Sequence, residues 1–298
     1  ELMVYTKTHT DLLFFTDLGK VYRIRGYQVP EYQRTGKGVP VINLINIEKG
    51  ESVKSIIAVN EYRDDRFLMF FTTEGIVKRT PLKEYESIRQ NGKIAITLRE
   101  GDNLLDVKQV SEKIELPEFA NENGEYTQDL LVGIAASNGK MVNFPTNEVR
   151  PMGRSASGVK GIELIDNARV VGVTASYEGD HILVITDKGY GKMTKAIDDD
   201  GEPTYRITKR GTRGVSTLKA TEKVGNLVAV RAVNLEDDLM VITNAGIVIR
   251  TPLAQVRVAS RNTQGVKIMN LEGRQRVSSI AIVPHEEPGE ETEEPVKD

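Results

Sequence analysis

The amino-acid sequence predicts an all-β fold, a closed or stacked array of four-stranded blades built from five similar repeats. A turn of small polar residues that ends in glycine recurs five times, and each turn lies between two short apolar runs. The turn glycines lie 56, 64, 50 and 57 residues apart. They are Gly19, Gly75, Gly139, Gly189 and Gly246. A period of roughly 50 to 60 residues indicates one supersecondary unit that stacks against its own copies.

The first two strands of each repeat flank the turn. The run before the turn is rich in β-branched and aromatic residues and is too short for a helix. Examples are residues 12–15, 68–71, 182–185 and 239–242. Glycine supplies the positive φ that a tight hairpin requires, so the chain is expected to return as a second strand, as in residues 20–24.

A loop, a glycine-led third strand and a closing apolar run complete each repeat. The third strands are predicted at residues 38–39, 158–159, 214–215 and 265–266. The repeats are predicted at residues 11–59, 66–110, 129–175, 180–233 and 237–283, with residues 1–10 as the closing strand of a preceding blade. Four strands per repeat make one blade, so residues 1–283 are predicted to form a single repeat domain.

Composition excludes several classes of protein. With no cysteine among 298 residues, neither a disulfide framework nor a thiolate metal site is possible. No apolar run approaches the ~20 residues needed to span a bilayer, and no signal peptide opens the sequence. The three histidines are scattered, and no paired carboxylates converge, so we expect no catalytic site and no metal site. These observations favour a cytoplasmic protein without membrane contact.

Charge divides the chain into two parts. The whole sequence has a formal net charge of −3, but residues 284–298 contain seven acidic residues and one lysine. The preceding 283 residues are therefore net basic. Since the final segment is acidic and lacks large apolar residues, it is predicted to be a disordered tail.

The cations of the repeat domain gather at two recurring places, just after the hairpin turn and on either side of the second glycine. Because equivalent positions of successive blades lie side by side, a cation repeated in each blade becomes a basic rim, which suits phosphate contacts that read no bases. Solubility and the protection of edge strands are the alternative explanation. The predicted DNA-binding residues are Lys20, Arg23, Arg25, Arg34, Lys37, Lys78, Arg79, Arg89, Lys93, Arg154, Lys160, Lys192, Lys195, Lys209, Arg210, Arg213, Arg250, Arg261 and Lys267.

The repeats resemble one known family. Residues 26–44 are closely similar to the loop and strand of one blade in the C-terminal domain of the DNA gyrase A subunit, as are residues 187–192 and 260–266. The resemblance runs from about Leu2 to Val283. It implies a β-pinwheel, whose four-stranded blades partly exchange strands between neighbours, and a domain that wraps DNA for a type II topoisomerase.

The resemblance also implies partners and cofactors. The partners would be double-stranded DNA, the remainder of the gyrase A subunit, and the gyrase B subunit in the heterotetramer. Catalysis would lie elsewhere in the parent enzyme, which would use Mg and ATP to introduce negative supercoils, while this segment would need no cofactor. We expect the isolated domain to be monomeric and the parent to be nucleoid-associated.

One motif of the family is missing. The gyrase box, Gln-Arg-Arg-Gly-Gly-Lys-Gly, does not occur, and residues 33–38 are its nearest echo. We therefore expect the sequence to begin just after the box-bearing segment and to bend DNA less completely than the intact domain. Two alternatives stay open: the corresponding domain of topoisomerase IV, and a propeller-type protein-interaction scaffold. The absence of tryptophan and an aromatic content of 6% give the scaffold little support.

Overall fold

A computed structural model describes residues 4, 6–33, 36–88 and 91–285. The described residues form five antiparallel sheets, which follow one another along the chain as blades 1 to 5. Their strands are β1 (Asp11–Thr16), β2 (Lys20–Arg25), β3 (Val53–Val59), β4 (Phe67–Thr72), β5 (Ile76–Pro81), β6 (Lys93–Ile94), β7 (Leu104–Val110), β8 (Leu131–Ala136), β9 (Lys140–Pro145), β10 (Val159–Lys160), β11 (Val170–Ala175), β12 (His181–Thr186), β13 (Tyr190–Lys195), β14 (Val215–Ser216), β15 (Leu227–Val233), β16 (Asp237–Thr243), β17 (Val248–Pro252), β18 (Val266–Lys267) and β19 (Val277–Pro284).

Helical structure is limited to short 3-10 turns in the loops. In the described residues these are Gly26–Gln28, Val41–Asn43, Leu82–Tyr85, Pro117–Phe119, Thr146–Glu148 and Leu253–Gln255. None of the helices in this part of the chain is long and apolar enough to cross a membrane. The predicted all-β fold is therefore confirmed.

Each of the first four blades borrows its outermost strand from the next repeat. In blade 1 the strand order is β3–β1–β2–β6, and β6 belongs to the second repeat. Blades 2, 3 and 4 take β10, β14 and β18 in the same way, whereas the described residues of blade 5 form only β17–β16–β19. Strand exchange between neighbours, which the resemblance implied, is thus confirmed, and the glycine-led strand completes the preceding blade instead of its own.

The turn chemistry explains why the hairpins recur. In blade 4 the Gly189 N–H donates to the Thr186 carbonyl at 3.1 Å, and the Thr186 hydroxyl accepts from the Tyr190 N–H at 3.1 Å. Gly189 has a φ of +78°, a value that residues with a side chain rarely adopt. The threonine before the turn is buried, so its hydroxyl satisfies a backbone donor that water does not reach.

The turn glycine also receives the borrowed strand. Its carbonyl oxygen accepts two consecutive backbone N–H groups from the next repeat in each of the first four blades, at 2.8 to 3.5 Å. The donor pairs are Ala95 and Ile96 to Gly19, Gly161 and Ile162 to Gly75, Thr217 and Leu218 to Gly139, and Ile268 and Met269 to Gly189. The same junction therefore forms four times with the same hydrogen bonds.

Apolar packing joins the blades from the inside. The closing strands pack in succession, β3 on β7, β7 on β11, β11 on β15 and β15 on β19. Between blades 1 and 2, Phe15, Phe70 and Tyr85 form an aromatic cluster with ring centroids 5.4 to 6.0 Å apart. Phe15 meets both of the other rings edge to face, a geometry that adds to the stabilisation from apolar burial.

Three segments lie outside the predicted repeats. Those of residues 1–10 that are described form a turn and no strand. The insertion between the second and third repeats, residues 111–128, contributes to the core, because Ile114 is buried in the apolar cluster that blades 2 and 3 share. Of the predicted acidic tail, residues 286–298 lie outside the described residues.

Candidate nucleic-acid interface

A row of arginines marks three successive blade junctions. Arg154, Arg210 and Arg261 each lie four residues before the glycine that leads a borrowed strand. Each guanidinium donates to a carbonyl of the strand that the preceding repeat has lent. The Nη1 to oxygen distances are 2.6 Å for Arg154 to Ile94, 3.1 Å for Arg210 to Lys160 and 2.7 Å for Arg261 to Ser216. Three predicted residues thus occupy the same place at consecutive junctions.

A second row runs four residues earlier in the same loops. Arg150, Arg206 and Arg257 are exposed. The residue after each one forms a parallel bridge with the neighbouring blade. The bridges are Pro151 to Arg79, Ile207 to Asn143 and Val258 to Met193. The three side chains make no hydrogen bond or ion pair with the described residues, so their guanidinium groups remain available to an external anion.

This second row was not among the residues predicted to bind DNA. Its signal was the spacing Arg-x-x-x-Arg, which occurs as residues 150–154, 206–210 and 257–261. Sorting the cations by their distance from the second glycine would have found it. A guanidinium has five N–H donors, so an arginine that uses one of them on a carbonyl can still bind phosphate with the others.

Exposed lysines add charge beside these rows. Lys37, Lys160, Lys209 and Lys267 are exposed, and none forms a side-chain hydrogen bond or ion pair within the described residues. Lys93 is partly buried and donates to the Ser87 carbonyl at 3.1 Å. Lys93, Lys160 and Lys267 lie on the borrowed strands β6, β10 and β18, and Lys209 is next to Arg210 in sequence.

Lys78 and Lys192 do not reach the surface, which corrects their predicted role as DNA contacts. Both side chains are fully buried. The Lys78 ammonium donates to the carbonyl oxygens of Ala95 and Arg154 at 2.5 and 2.6 Å. The Lys192 ammonium donates to Ser260 and Arg261 at 2.5 and 2.7 Å. These buried lysines therefore fix the backbone of the loops that carry Arg154 and Arg261.

Burial affects the ionisation of the two lysines. Desolvation, reinforced by the nearby Arg154 guanidinium, lowers the pKa of Lys78 to about 7. Desolvation and Arg261 lower the pKa of Lys192 to about 8. The carbonyl hydrogen bonds act in the opposite sense, because they favour the charged form.

Arg79 is also buried, and this too corrects its predicted role. Its guanidinium lies over the Phe67 ring at 4.4 Å from the centroid and reaches Glu112 at 3.3 Å. Desolvation by burial lowers the pKa of Arg79. The side chain therefore contributes to packing between blade 2 and the insertion.

Six of the remaining predicted cations are paired with carboxylates. Arg23 and Arg25 both reach the buried Asp11 carboxylate, at 3.1 and 2.9 Å. Other partners are Glu48 for Lys20 at 2.5 Å, Asp199 for Lys195 at 2.5 Å, Glu163 for Arg213 at 3.3 Å and Asp238 for Arg250 at 2.7 Å. A carboxylate partner reduces the positive charge and the hydrogen-bond donors that each cation has available for phosphate. Arg34 and Arg89, also predicted, lie outside the described residues.

The acidic loop after β13 has an internal arrangement. The Asp198 carboxylate accepts the backbone N–H groups of Asp200 and Glu202 at 3.0 and 2.9 Å. Within the described residues, no group of three or more His, Cys, Asp or Glu side chains is placed to hold a metal ion.

The five-blade pattern can be compared with known protein families. The family model described as DNA gyrase C-terminal domain, beta-propeller, matches this chain five times, once per repeat. The matched residues are 10–60, 66–111, 134–176, 180–234 and 237–284. The chain belongs to this gyrase C-terminal domain family.

Curated relatives of this gyrase C-terminal domain agree. The DNA gyrase A subunit of Ureaplasma parvum serovar 3 is 46% identical over 282 residues, which cover 95% of the chain. Its counterpart from Staphylococcus aureus strain MRSA252 is 40% identical over 295 residues, which cover 98%. The chain spans about a third of these relatives, 31% of each.

Solved structures show the same fold. A DNA gyrase A C-terminal domain superposes with a TM-score of 0.71 at 21% identity, over 93% of this chain and 84% of the other. The C-terminal domain of a DNA topoisomerase IV superposes with a TM-score of 0.77 at 23% identity, over 93% and 80%. The β-pinwheel expected from the sequence is therefore confirmed.

Proposed function

We propose that this gyrase C-terminal domain binds duplex DNA without reading its sequence and wraps it with a fixed hand around the outer edge of its blades. The observation that carries the proposal is the double row of arginines, repeated at three consecutive junctions. Arg150, Arg206 and Arg257 form the row without internal partners among the described residues, and Arg154, Arg210 and Arg261 form the row on the borrowed strands. We propose phosphate oxygens as their ligands.

The regular placement of the cations suits a bent polyanion. Bending a 20–30 bp duplex by 40–90° costs on the order of 1–6 kcal/mol in smooth elastic estimates. Contacts repeated over several blades can offset that cost, as in architectural proteins that hold DNA by its backbone. We exclude Lys78, Lys192 and Arg79 from the proposed interface because they are buried. The exposed Lys37, Lys160, Lys209 and Lys267 belong to it.

The test is topoisomer analysis of relaxed plasmid that is closed by ligase in the presence of the chain. A chiral wrap should shift the linking-number distribution as protein is added, and the shift should collapse with salt. The test variant replaces Arg150, Arg206 and Arg257 with glutamine. Because these side chains have no partner among the described residues, the variant should keep its thermal stability and lose most of the shift.

A matched variant controls for net charge. Lys54, Arg63 and Lys113 are exposed cations outside the repeated loops, and their replacement with glutamine removes the same formal charge. We expect this control to keep the linking-number shift. Equal losses in both variants would contradict a localised interface. Tight binding by the wild type without any shift would mean that the basic rim holds DNA but does not wrap it.

For the parent protein we propose the role that its relatives' name implies. As part of a gyrase A subunit, the domain would present a DNA crossing of one hand to a cleavage core and so direct negative supercoiling driven by ATP. Mg and ATP would serve the parent enzyme, with no catalytic group supplied by this domain. The remainder of the gyrase A subunit and the gyrase B subunit would be its partners, on the nucleoid in the cytoplasm.

The gyrase box bears on the completeness of the wrap. We propose that a longer chain which includes the box shifts the linking number further than this chain does. Equal shifts by the two would contradict it. The topoisomerase IV alternative is compatible with the similar fold of that domain and would be favoured if the longer chain also failed to wrap DNA.

A further inference from the structure

Two unusually long connections flank one groove at the junction of blades 3 and 4. Residues 111–130 join β7 to β8 and form a much longer connection than those from β3 to β4, from β11 to β12 and from β15 to β16. Residues 196–214 join β13 to β14 and are longer than the equivalent connections of the second, third and fifth repeats. Both departures from the repeat pattern therefore meet at one junction.

Each long connection contains a small hairpin with its own backbone hydrogen bonds. In the first hairpin the Asn121 N–H donates to the Glu125 carbonyl at 2.9 Å. In the second the Thr204 N–H donates to the Ala196 carbonyl at 3.0 Å. The two segments are residues 113–129, the insertion hairpin, and residues 196–204, the acidic hairpin. The groove therefore has two walls of regular structure.

The groove between the two hairpins is large and mostly apolar. Its volume is about 770 Å³, and Leu116 and Phe119 of the insertion hairpin line one side. Ile197 of the acidic hairpin lines the other side, together with Tyr177 and Ile207. The exposed fractions of Tyr177, Ile197 and Ile207 are 40, 43 and 45%. Clefts of this size with apolar and aromatic walls are typical of binding sites, and burial of such surface favours association.

The rim of the groove is acidic. The two hairpins together contain nine acidic residues and one lysine, although residues 1–283 as a whole are net basic. Glu118, Glu122 and Glu202 are exposed, and their carboxylates have no hydrogen bond or ion pair with the described residues. The nearby Lys113 and Lys195 are each paired with a hairpin aspartate, at 2.6 and 2.5 Å. The rim therefore presents unpaired negative charge to a ligand.

A buried histidine adds a hydrogen-bond acceptor to the wall of the groove. His181 lines the groove, and its Nδ1 lies 2.6 Å from the Asp180 carboxylate. Because an ionised carboxylate only accepts hydrogen bonds, Nδ1 carries the proton, and Nε2 of the neutral ring is left as an acceptor. No described residue forms a hydrogen bond with Nε2. Both the rim and this wall therefore suit a ligand that is rich in N–H donors.

We propose that the groove between the insertion hairpin and the acidic hairpin binds a basic peptide segment of a partner protein. One aliphatic or aromatic side chain of the peptide packs against the apolar walls, and its lysine or arginine residues face the acidic rim. Charge complementarity selects this occupant, because the same rim repels phosphate groups and so disfavours DNA. The site is separate from the arginine rows, so it does not depend on DNA wrapping.

Selection from a phage-displayed library of random dodecapeptides, with the whole chain as bait, tests the chemistry of the ligand. We expect the enriched peptides to combine several lysines or arginines with a large apolar residue. Enrichment of acidic peptides alone, which would suit the arginine rows, would overturn the proposal. The absence of any enriched sequence would also overturn it.

Charge variants test where an enriched peptide binds. By fluorescence anisotropy, the fluorescein-labelled peptide should bind on the order of tenfold more weakly when Glu118, Glu122 and Glu202 are all replaced with glutamine. A control variant removes the same formal charge from three exposed glutamates away from the groove, Glu61, Glu100 and Glu272. The control should keep the wild-type affinity. The acidic residues of 284–298 are unchanged in both variants, so equal affinity for all three proteins would overturn the proposal.

An apolar variant separates the groove from a purely electrostatic contact. Ile197→Ser should weaken binding of the same peptide by about tenfold, a loss typical of an anchor contact in an interface. Leu18→Ser, at another exposed aliphatic residue, should leave the affinity unchanged. Both variants should keep the wild-type Tm, since both side chains are exposed. Unchanged affinity in Ile197→Ser would overturn the groove as the binding site.

Discussion

The Lys78 ammonium lies 2.6 Å from the carbonyl oxygen of Arg154, and Lys192 repeats this relationship with Arg261 two blades later at 2.7 Å. In each pair a buried cation from one blade holds the backbone of an arginine from the next repeat. The arginine side chain then contacts the strand that the preceding repeat has lent. The arginine at the junction is therefore positioned by a buried lysine of the preceding repeat.

Removing a buried lysine should loosen its loop. Lys78→Met leaves the Ala95 and Arg154 carbonyls without this donor, and an unpaired buried polar group costs about 1–3 kcal/mol. We expect the free energy of unfolding to fall by about 2 kcal/mol in urea titration. Amide hydrogen exchange should accelerate at residues 152–156. Lys83→Met, at an exposed lysine, should change neither, and an unchanged exchange pattern in Lys78→Met would contradict the positioning role.

The same lysine predicts a pH dependence. Its pKa is about 7 in the folded chain against 10.5 as the ordinary value. Below pH 7 both states hold the proton, so the contribution is constant. Between about pH 7 and 10.5 only the unfolded state holds it, so stability should rise with pH, by at most about 1.4 kcal/mol per unit. Urea titrations at pH 6 to 9 should show this gain in the wild type relative to Lys78→Met. Parallel curves would contradict it.

Neighbouring arginines of one loop should separate DNA binding from folding. Arg206→Gln removes an exposed guanidinium without a described partner, so DNA affinity should fall while stability stays within about 0.5 kcal/mol. Arg210→Gln also removes hydrogen bonds to Glu148 and Lys160, which should cost about 1 kcal/mol. DNA affinity should be measured over a range of salt concentrations. The slope of log affinity against log salt concentration should become smaller by about 0.9 for each phosphate that is no longer neutralised. An unchanged slope in Arg206→Gln would remove that residue from the interface.

Two turn glycines offer a matched pair of substitutions. Gly246→Ala should cost about 1–2 kcal/mol, the ordinary penalty for a side chain at positive φ. Gly189→Ala adds a collision with the Met269 carbonyl, so it should cost about 1–3 kcal/mol more. Denaturant midpoints should rank the variants in this order. Equal losses of stability in the two variants would mean that the borrowed strand moves away from the new side chain without a free-energy cost.

Local sequence predicted the hairpins well, because the turn glycine and the β-branched runs act within a few residues. It did not indicate which blade the glycine-led strand would join, since the partners of β6 or β18 lie in another repeat. Burial of Lys78 was likewise hidden. Its charge suggested an exposed side chain, whereas the strand register places the side chain against the loop that carries Arg154.

Strand exchange also sets the order in which the blades can be completed during synthesis. The outer edge of β2 cannot be covered until β6 has been made, and β5, β9 and β13 wait in turn for β10, β14 and β18. A chain growing on the ribosome would therefore always carry one uncovered edge, which the next repeat closes while opening its own. Each blade protects the nascent chain only after its successor has emerged.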